Sequence, residues 1–166
     1  TGPCYTMRDA GTIEQLSRGL YRLANMPPLG SPDLVAVALR VPEGVLCLLS
    51  ALAVHDLTTQ IPHEIHVALK RGAEPPRLGH PPVRVFWFTG AAFTSGIEHH
   101  VLDGVRVRVY GSAKTVADCF KYRNKLGLDV ALEALKLYLR KKRGRSDDLM
   151  RAARVCRVES VMRPYV

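Results

Sequence analysis

Apolar and polar residues alternate through the middle of the chain, and this pattern predicts strands. The alternation is clearest at residues 105–110, where valines are expected on one side of a strand and arginines on the other. The Asp103-Gly104 pair just before this segment predicts a tight hairpin turn back to a strand at residues 97–102. Two further strands are predicted at residues 63–70 and 83–88, with a proline-rich loop between them.

A separate β-hairpin is predicted near the start of the chain. Residues 12–16 and 20–23 flank Ser17-Arg18-Gly19, where the glycine allows the chain to turn and Arg18 stands at the tip. Residues 25–32 contain three prolines and a glycine, and they predict a stiff linker after the hairpin.

Apolar residues at helical spacing occur on both sides of the block of strands. In the most regular case Val116, Ala117 and Phe120 form one apolar face, while Lys114 and Asp118 are interpreted as a surface ion pair four residues apart. Helices are predicted at residues 32–41, 44–53, 114–124, 130–142 and 147–154. Helices before and after a run of strands indicate an α+β fold in which an antiparallel sheet is flanked by helices.

Composition narrows the class of protein. Of the 166 residues, 47% are hydrophobic and 23% are charged, as in globular proteins. The longest apolar run, residues 45–54, is too short to cross a bilayer, so no membrane partner is expected. The cysteines are widely spaced without a zinc-binding pattern, which predicts free thiols in a reducing cytoplasm; they are Cys4, Cys47, Cys119 and Cys156.

Positive charge is concentrated towards the end of the chain. Residues 1–135 hold 14 Lys/Arg and 12 Asp/Glu, a net +2, whereas residues 136–166 hold 10 and 3, a net +7. The densest run lies at residues 140–145, and Arg151, Arg154 and Arg157 continue the excess along the next helix. Two explanations of such a run stay open, a solvated helix end and a surface that attracts phosphate groups. Nucleic acid is the favoured partner.

The sequence offers little support for an enzyme. It contains neither a nucleophile elbow nor a phosphate-binding glycine loop. His63 and His66 are expected on opposite faces of one strand, and His99 and His100 alternate in the same way, so no metal site and no cofactor are expected. The enzymatic alternative is a degenerate metal-dependent nuclease, whose candidate residues are Asp56, Glu64, Lys70, Glu98 and Asp103.

Five short segments occur in order along the chain. They are Arg18-Gly-Leu-Tyr-Arg22, Leu57-Thr-Thr-Gln-Ile-Pro62, Gly96-Ile-Glu-His99, Lys114-Thr-Val-Ala-Asp-Cys-Phe120 and Val161-Met-Arg-Pro-Tyr165. Together they resemble the AbiEi family, the antitoxins and transcriptional regulators of AbiE-type abortive-infection systems.

The resemblance implies three parts in the chain. Residues 1–24 would be the C-terminal part of a winged helix-turn-helix domain, with the hairpin as its wing and the recognition helix upstream of Thr1. Residues 25–32 would be the linker, and residues 33–166 the antitoxin domain. Such a protein is a cytoplasmic repressor that binds inverted repeats in its own promoter and neutralises a nucleotidyltransferase-like toxin.

Candidate binding residues follow from the resemblance together with the basic run. The DNA-contacting residues would be Arg18, Gly19, Tyr21, Arg22, Arg140, Lys141, Lys142, Arg143 and Arg145. The toxin-contacting residues would be Lys114, Asp118, Lys121 and Arg123. A module that binds only protein, with its basic surface against an acidic partner, stays open beside this hypothesis.

Overall fold

The computed structural model describes residues 13–16, 20–23, 31–141 and 146–166. Near the start, β1 (Ile13–Leu16) and β2 (Leu20–Leu23) pair antiparallel, with Leu16 opposite Leu20. This pairing confirms the predicted hairpin, but its tip, with Arg18 and Gly19, lies outside the described residues. The predicted linker also lies outside them, apart from its last two residues, which begin the first helix.

Helices surround a block of strands in the rest of the described chain. The elements are α1 (Ser31–Arg40), β3 (Val45–Leu46), α2 (Leu48–Val54), β4 (Ile65–Lys70), β5 (Val83–Phe88), α3 (Ala91–Thr94), β6 (Ile97–Leu102), β7 (Val105–Tyr110), α4 (Ser112–Lys121), α5 (Arg123–Leu126), α6 (Leu128–Lys141), α7 (Ser146–Val155), α8 (Glu159–Met162) and a 3-10 turn at Arg163–Tyr165.

Five strands form one sheet in the order β5-β4-β3-β7-β6, and the α+β class is confirmed. The β3–β4 and β6–β7 pairs are antiparallel, whereas the β4–β5 and β3–β7 pairs are parallel. The sheet is therefore mixed, and the prediction of an antiparallel sheet is wrong for two of its four pairings. Alternation of side chains is the same in both kinds of pair, so the pattern alone does not reveal strand direction.

Both faces of the sheet are covered, because alternate residues of the strands enter different apolar clusters. On one face Ala68, Phe86 and Tyr110 pack with residues of α4, α6 and α7. On the other face Val67 and Val109 pack with residues of α1. Helix α2 contributes to both clusters. A domain of this size thus surrounds its sheet with helices on two sides.

The short strand β3 stands where the sequence predicts the start of a helix. Val45 and Leu46 are buried, and they pair with β4 on one side and β7 on the other. Helix α2 begins only at Leu48. A continuous apolar run does not distinguish a buried strand from a buried helix. Here the backbone of residues 45 and 46 pairs with β4 and β7, so these residues form a strand in the middle of the sheet.

Helix α4 lies at the centre of the fold, since every residue from Lys114 to Phe120 is buried. The chain just before β6 passes so close to this helix that only glycine fits at position 96. Gly96 has a φ of 77°, and a Cβ there would lie 2.8 Å from the Cβ of Lys114. The start of β6 is thereby held against the first turn of α4.

Candidate functional site

The last turns of α6 carry exposed cations. Lys136 and Arg140 are four residues apart, so they lie on the same side of the helix, and neither forms an ion pair with another described residue. Lys141 is also exposed, but its Nζ donates hydrogen bonds to the backbone oxygens of His55 (3.2 Å) and Asp56 (2.9 Å). Lys141 therefore fixes the end of α2 in addition to any role in binding.

The chain after α6 adds Lys142, Arg143 and Arg145, which lie outside the described residues. We refer to residues 136–145 as the basic segment. It holds six cations, and the sequence has no acidic residue between Glu133 and Asp147. Cations without nearby acids create a positive potential that attracts polyanions.

Two arginines of α7 are paired with acidic residues. Arg151 Nη2 lies 2.9 Å from Asp148 Oδ1, and Arg154 Nε lies 2.6 Å from Glu159 Oε2. Arg163 is also paired with Glu159, at 3.2 Å. Arg151 and Arg154 each face an acid, whereas Arg157 is exposed and forms no ion pair with another described residue, so the continuation of the basic run through these three arginines stays a prediction.

The candidate DNA-contacting residues of the hairpin are only partly within the described chain. Tyr21 and Arg22 lie on β2, where their partners across the strand pair are Gln15 and Glu14. Their contact with DNA stays a prediction, as does that of Arg18 and Gly19 at the tip.

Two of the four candidate toxin-contacting residues are inside the protein. Lys114 and Asp118 are only 4% and 1% exposed, so the interpretation of this pair as a surface contact is wrong. The reason is that strands and helices cover α4 on more sides than its apolar stripe indicates. Lys121 is exposed, and Arg123 Nη1 donates to the carbonyl oxygen of Phe120 at 2.7 Å; their role in binding stays a prediction.

The buried pair forms a polar centre in the core. Lys114 Nζ lies 3.0 and 2.8 Å from the two carboxylate oxygens of Asp118, and the Cys156 thiol donates to Oδ1 at 3.1 Å. The ammonium also lies 4.0 Å from the centre of the Tyr110 ring, a cation–π contact. Burial raises the pKa of Asp118, while Lys114 and the Cys156 hydrogen bond lower it. The carboxylate thus depends on these partners to remain charged.

The buried thiols near this centre are poor nucleophiles. Burial raises the pKa of Cys47, Cys119 and Cys156 above the ordinary thiol value, and the charge of Asp118 raises each further. The thiolate is the reactive form of cysteine, so these side chains act as packing groups. The prediction of free buried thiols is confirmed for these three, and Cys4 lies outside the described residues.

A cavity of about 460 Å³ opens where the start of β6 meets α4, α6 and α7. Its polar lining residues are Ser95, Glu98, Ser112, Lys114, Tyr138, Asp148 and Arg151. Both signs of charge are present, and Arg151 is already paired with Asp148. The cavity can accept a polar molecule, but its charges give no clear preference for an anion.

Glu98 also belongs to a cluster with His55 and His100, in which one ligand atom from each residue lies within 4.8 Å of the other two. His100 Nε2 is 2.8 Å from Glu98 Oε1, and the two imidazole rings are 5.4 Å apart, edge to face. Sequence reasoning missed this cluster because it compared only neighbouring histidines. The signal in the sequence was Glu98-x-His100, since residues two apart on a strand share a face.

Two residues of the nuclease hypothesis, Glu64 and Lys70, lie far apart. Glu64 precedes β4 and Lys70 ends it, so six residues of extended chain separate them by about 20 Å. Glu64 Oε1 instead faces His66 Nε2 at 3.6 Å and Arg84 Nη1 at 3.9 Å. A shared face of a strand was therefore insufficient to bring this acid and lysine together.

Comparison with known proteins gives no family assignment. No protein-family model matches the chain, and no curated protein matches it significantly. Within the part of the chain that the structure describes, no helix has the length and apolar character needed to span a membrane.

Proposed function

We propose that this chain is a DNA-binding transcriptional regulator and the antitoxin of an AbiE-type toxin–antitoxin system, acting in the cytoplasm. The observation that carries the DNA-binding part is the basic segment, with six cations and no acid among residues 136–145. The resemblance of five sequence segments to the AbiEi family supports the regulator and antitoxin roles.

The exposed cations of the basic segment suit the backbone of nucleic acid. Lys136 and Arg140 lie one helical turn apart, about 6 Å along the axis, and both side chains are available to phosphates. Each phosphate neutralised by a cation releases a counterion, so affinity falls as salt is raised. Such contacts give affinity and orientation without reading the base sequence, which the winged helix of this family would supply.

Salt titration tests the assignment. Binding of a promoter duplex is measured at several salt concentrations for the unsubstituted chain, Lys136→Ala and Arg140→Ala. Each substitution is expected to reduce the slope of log K against log salt by about 0.9, because one phosphate contact is lost. Lys141→Ala is a poor first choice, since it also releases the end of α2.

The matched control is Arg154→Ala, an exposed cation that is already paired with Glu159. It is expected to leave the slope unchanged. A slope that changes equally for Arg140→Ala and Arg154→Ala would show that only net charge matters. A slope that changes for neither would remove the basic segment from the DNA interface.

The toxin-binding part has its own experiment. The chain is co-expressed with a nucleotidyltransferase-like protein encoded beside it, and the complex is isolated after nuclease treatment. Lys121→Glu is expected to weaken the complex, whereas Lys70→Glu, an exposed lysine at the end of β4, is not. A nuclease-resistant complex together with no DNA binding would favour the module that binds only protein.

A further inference from the structure

We propose that His55, Glu98 and His100 form a binding site for a divalent transition-metal ion, with at least one coordination position left for water or a ligand. The three side chains come from two separate parts of the chain. His55 follows α2, whereas Glu98 and His100 lie two residues apart on β6. The site goes beyond DNA and toxin binding and does not depend on either.

The distances within the cluster suit a metal ion. Ligands about 2.0–2.1 Å from a tetrahedral zinc ion lie about 3.3 Å from one another. His100 Nε2 and Glu98 Oε1 are 2.8 Å apart, and all three ligand atoms lie within 4.8 Å of one another. Shifts below about 1.5 Å thus convert the cluster into a coordination shell. A ligating nitrogen must present its lone pair, so His100 would bind the ion through Nε2 as the tautomer that carries its proton on Nδ1.

The surroundings already orient the three groups. His55 Nε2 lies 2.7 Å from the carbonyl oxygen of Tyr110, the kind of hydrogen bond that fixes a metal-binding imidazole. Glu98 lies over Gly111, where a Cβ would be 2.6 Å from Oε2. The carboxylate therefore occupies space that any other residue at position 111 would fill.

The donor set indicates the class of ion. Two imidazoles and one carboxylate suit Zn²⁺, Co²⁺, Ni²⁺ or Fe²⁺, whereas Mg²⁺ and Ca²⁺ prefer oxygen ligands alone. Three protein ligands leave a position open, as in metal sites that exchange water. Glu98 also lines the cavity of about 460 Å³, so an ion on its carboxylate would border that space.

Cobalt titration tests the site on the untagged chain, because a polyhistidine tag binds the same metals. After treatment with a chelator the protein is titrated with Co²⁺ and followed by visible absorption. One equivalent is expected to give the intense bands of a four- or five-coordinate ion, and Zn²⁺ is expected to displace them. Absence of these bands up to millimolar Co²⁺ would overturn the proposal.

Two variants and one control make the test specific. His100→Ala is expected to weaken binding more than about 10-fold, since even loss of a supporting hydrogen bond to a ligand costs 10- to 100-fold. His99→Ala is the matched control, because His99 is exposed on the opposite face of β6. Gly111→Ala keeps all three ligands but displaces Glu98, so it is also expected to weaken binding.

The comparison between variants decides the outcome. Circular dichroism first establishes that each variant is folded. Equal losses for His99→Ala and His100→Ala, or no loss for either, would mean that cobalt binds the surface without this site. Selective loss for His100→Ala and Gly111→Ala supports the proposal.

Discussion

Two ion pairs with the same spacing in the sequence lie in opposite surroundings. Lys114 and Asp118 are 2.8 Å apart with side chains 4% and 1% exposed, whereas Glu159 and Arg163 are 3.2 Å apart with side chains 30% and 68% exposed. A four-residue spacing brings each pair together but says nothing about what covers it. The energetic consequence of losing a partner therefore differs greatly between the two.

The same contrast separates two Glu-x-His sequences. Glu64 and His66 meet at 3.6 Å with the imidazole buried, and His66 Nδ1 accepts a hydrogen bond from the backbone N–H of Leu49 at 3.4 Å. Glu98 and His100 meet at 2.8 Å with both side chains partly open to water. His66 therefore has a structural role, whereas Glu98 and His100 are accessible to an ion from solution.

Breaking the buried ion pair is expected to have the largest effect. Asp118→Ala leaves the Lys114 ammonium in the core without its carboxylate. The free energy of unfolding is expected to fall by about 3–5 kcal/mol, as for other buried pairs that lose one partner. Urea denaturation at neutral pH measures it. A loss below about 1 kcal/mol would show that water reaches Lys114 and would remove the contrast between the two pairs.

The buried histidine is expected to make stability depend on pH. Burial is the main cause that lowers the pKa of His66 from 6.5 to about 4, with Glu64 raising it and Arg84 lowering it. The unfolded chain therefore binds a proton more readily between these values. The stabilising effect is complete above about pH 6.5 and is lost as the pH falls towards 4. The loss is at most about 3 kcal/mol, from 1.36 kcal/mol per pKa unit.

The measurement is urea denaturation at several pH values between 4 and 7. His66→Asn keeps an acceptor near the Leu49 N–H but does not titrate, so it is expected to flatten the pH dependence in this window. His63→Asn, an exposed neighbour, is the control and is expected to keep the original dependence. Identical curves for the unsubstituted chain and His66→Asn would assign the dependence to other groups.

Local patterns predicted much of the sheet. The strands Val83–Phe88, Ile97–Leu102 and Val105–Tyr110 have the bounds expected from alternation. The Asp103-Gly104 turn also has the positive φ values of a tight hairpin, 50° and 80°. These features depend on neighbouring residues only. Strand direction and the strand at Val45 depend on distant partners, and the sequence alone does not contain them.

The candidate sites were harder to predict for the same reason. Lys114 and Asp118 of α4 resemble a solvated face in the sequence but are buried in the fold, and His55 joins Glu98 only through the fold. Of the segments that resemble the AbiEi family, residues 114–120 are buried, whereas residues 57–62, 96–99 and 161–165 are mostly exposed or half-buried. Thr58 and Thr59 hold the loop after α2 to Glu133 of α6, at 2.9–3.3 Å. Only the basic segment could be recognised directly in the sequence, because its cations follow one another closely along the chain.

Removing both members of the buried pair is expected to have a much smaller effect than removing one. Lys114→Met with Asp118→Val replaces two charges by apolar side chains whose combined volume is close to that of the pair. The free energy of unfolding of the double variant is expected to lie within about 1 kcal/mol of that of the unsubstituted chain, because the cost of desolvating the charges disappears when both charges are removed. Urea denaturation beside Asp118→Ala tests it. A double variant as unstable as the single one would mean that disturbed packing at the site, rather than an unpaired charge, causes the loss.

The smallest effect is expected at the exposed pairs. Glu159→Gln removes the charge that faces Arg154 and Arg163, but both arginines remain in water. The free energy of unfolding is expected to change by less than about 1 kcal/mol, and the change is expected to shrink further as salt is raised. Urea denaturation at low and high salt measures both. A loss of stability similar to that of Asp118→Ala would show that buried and exposed ion pairs of this spacing contribute equally to stability. Burial would then not determine how much an ion pair stabilises this protein.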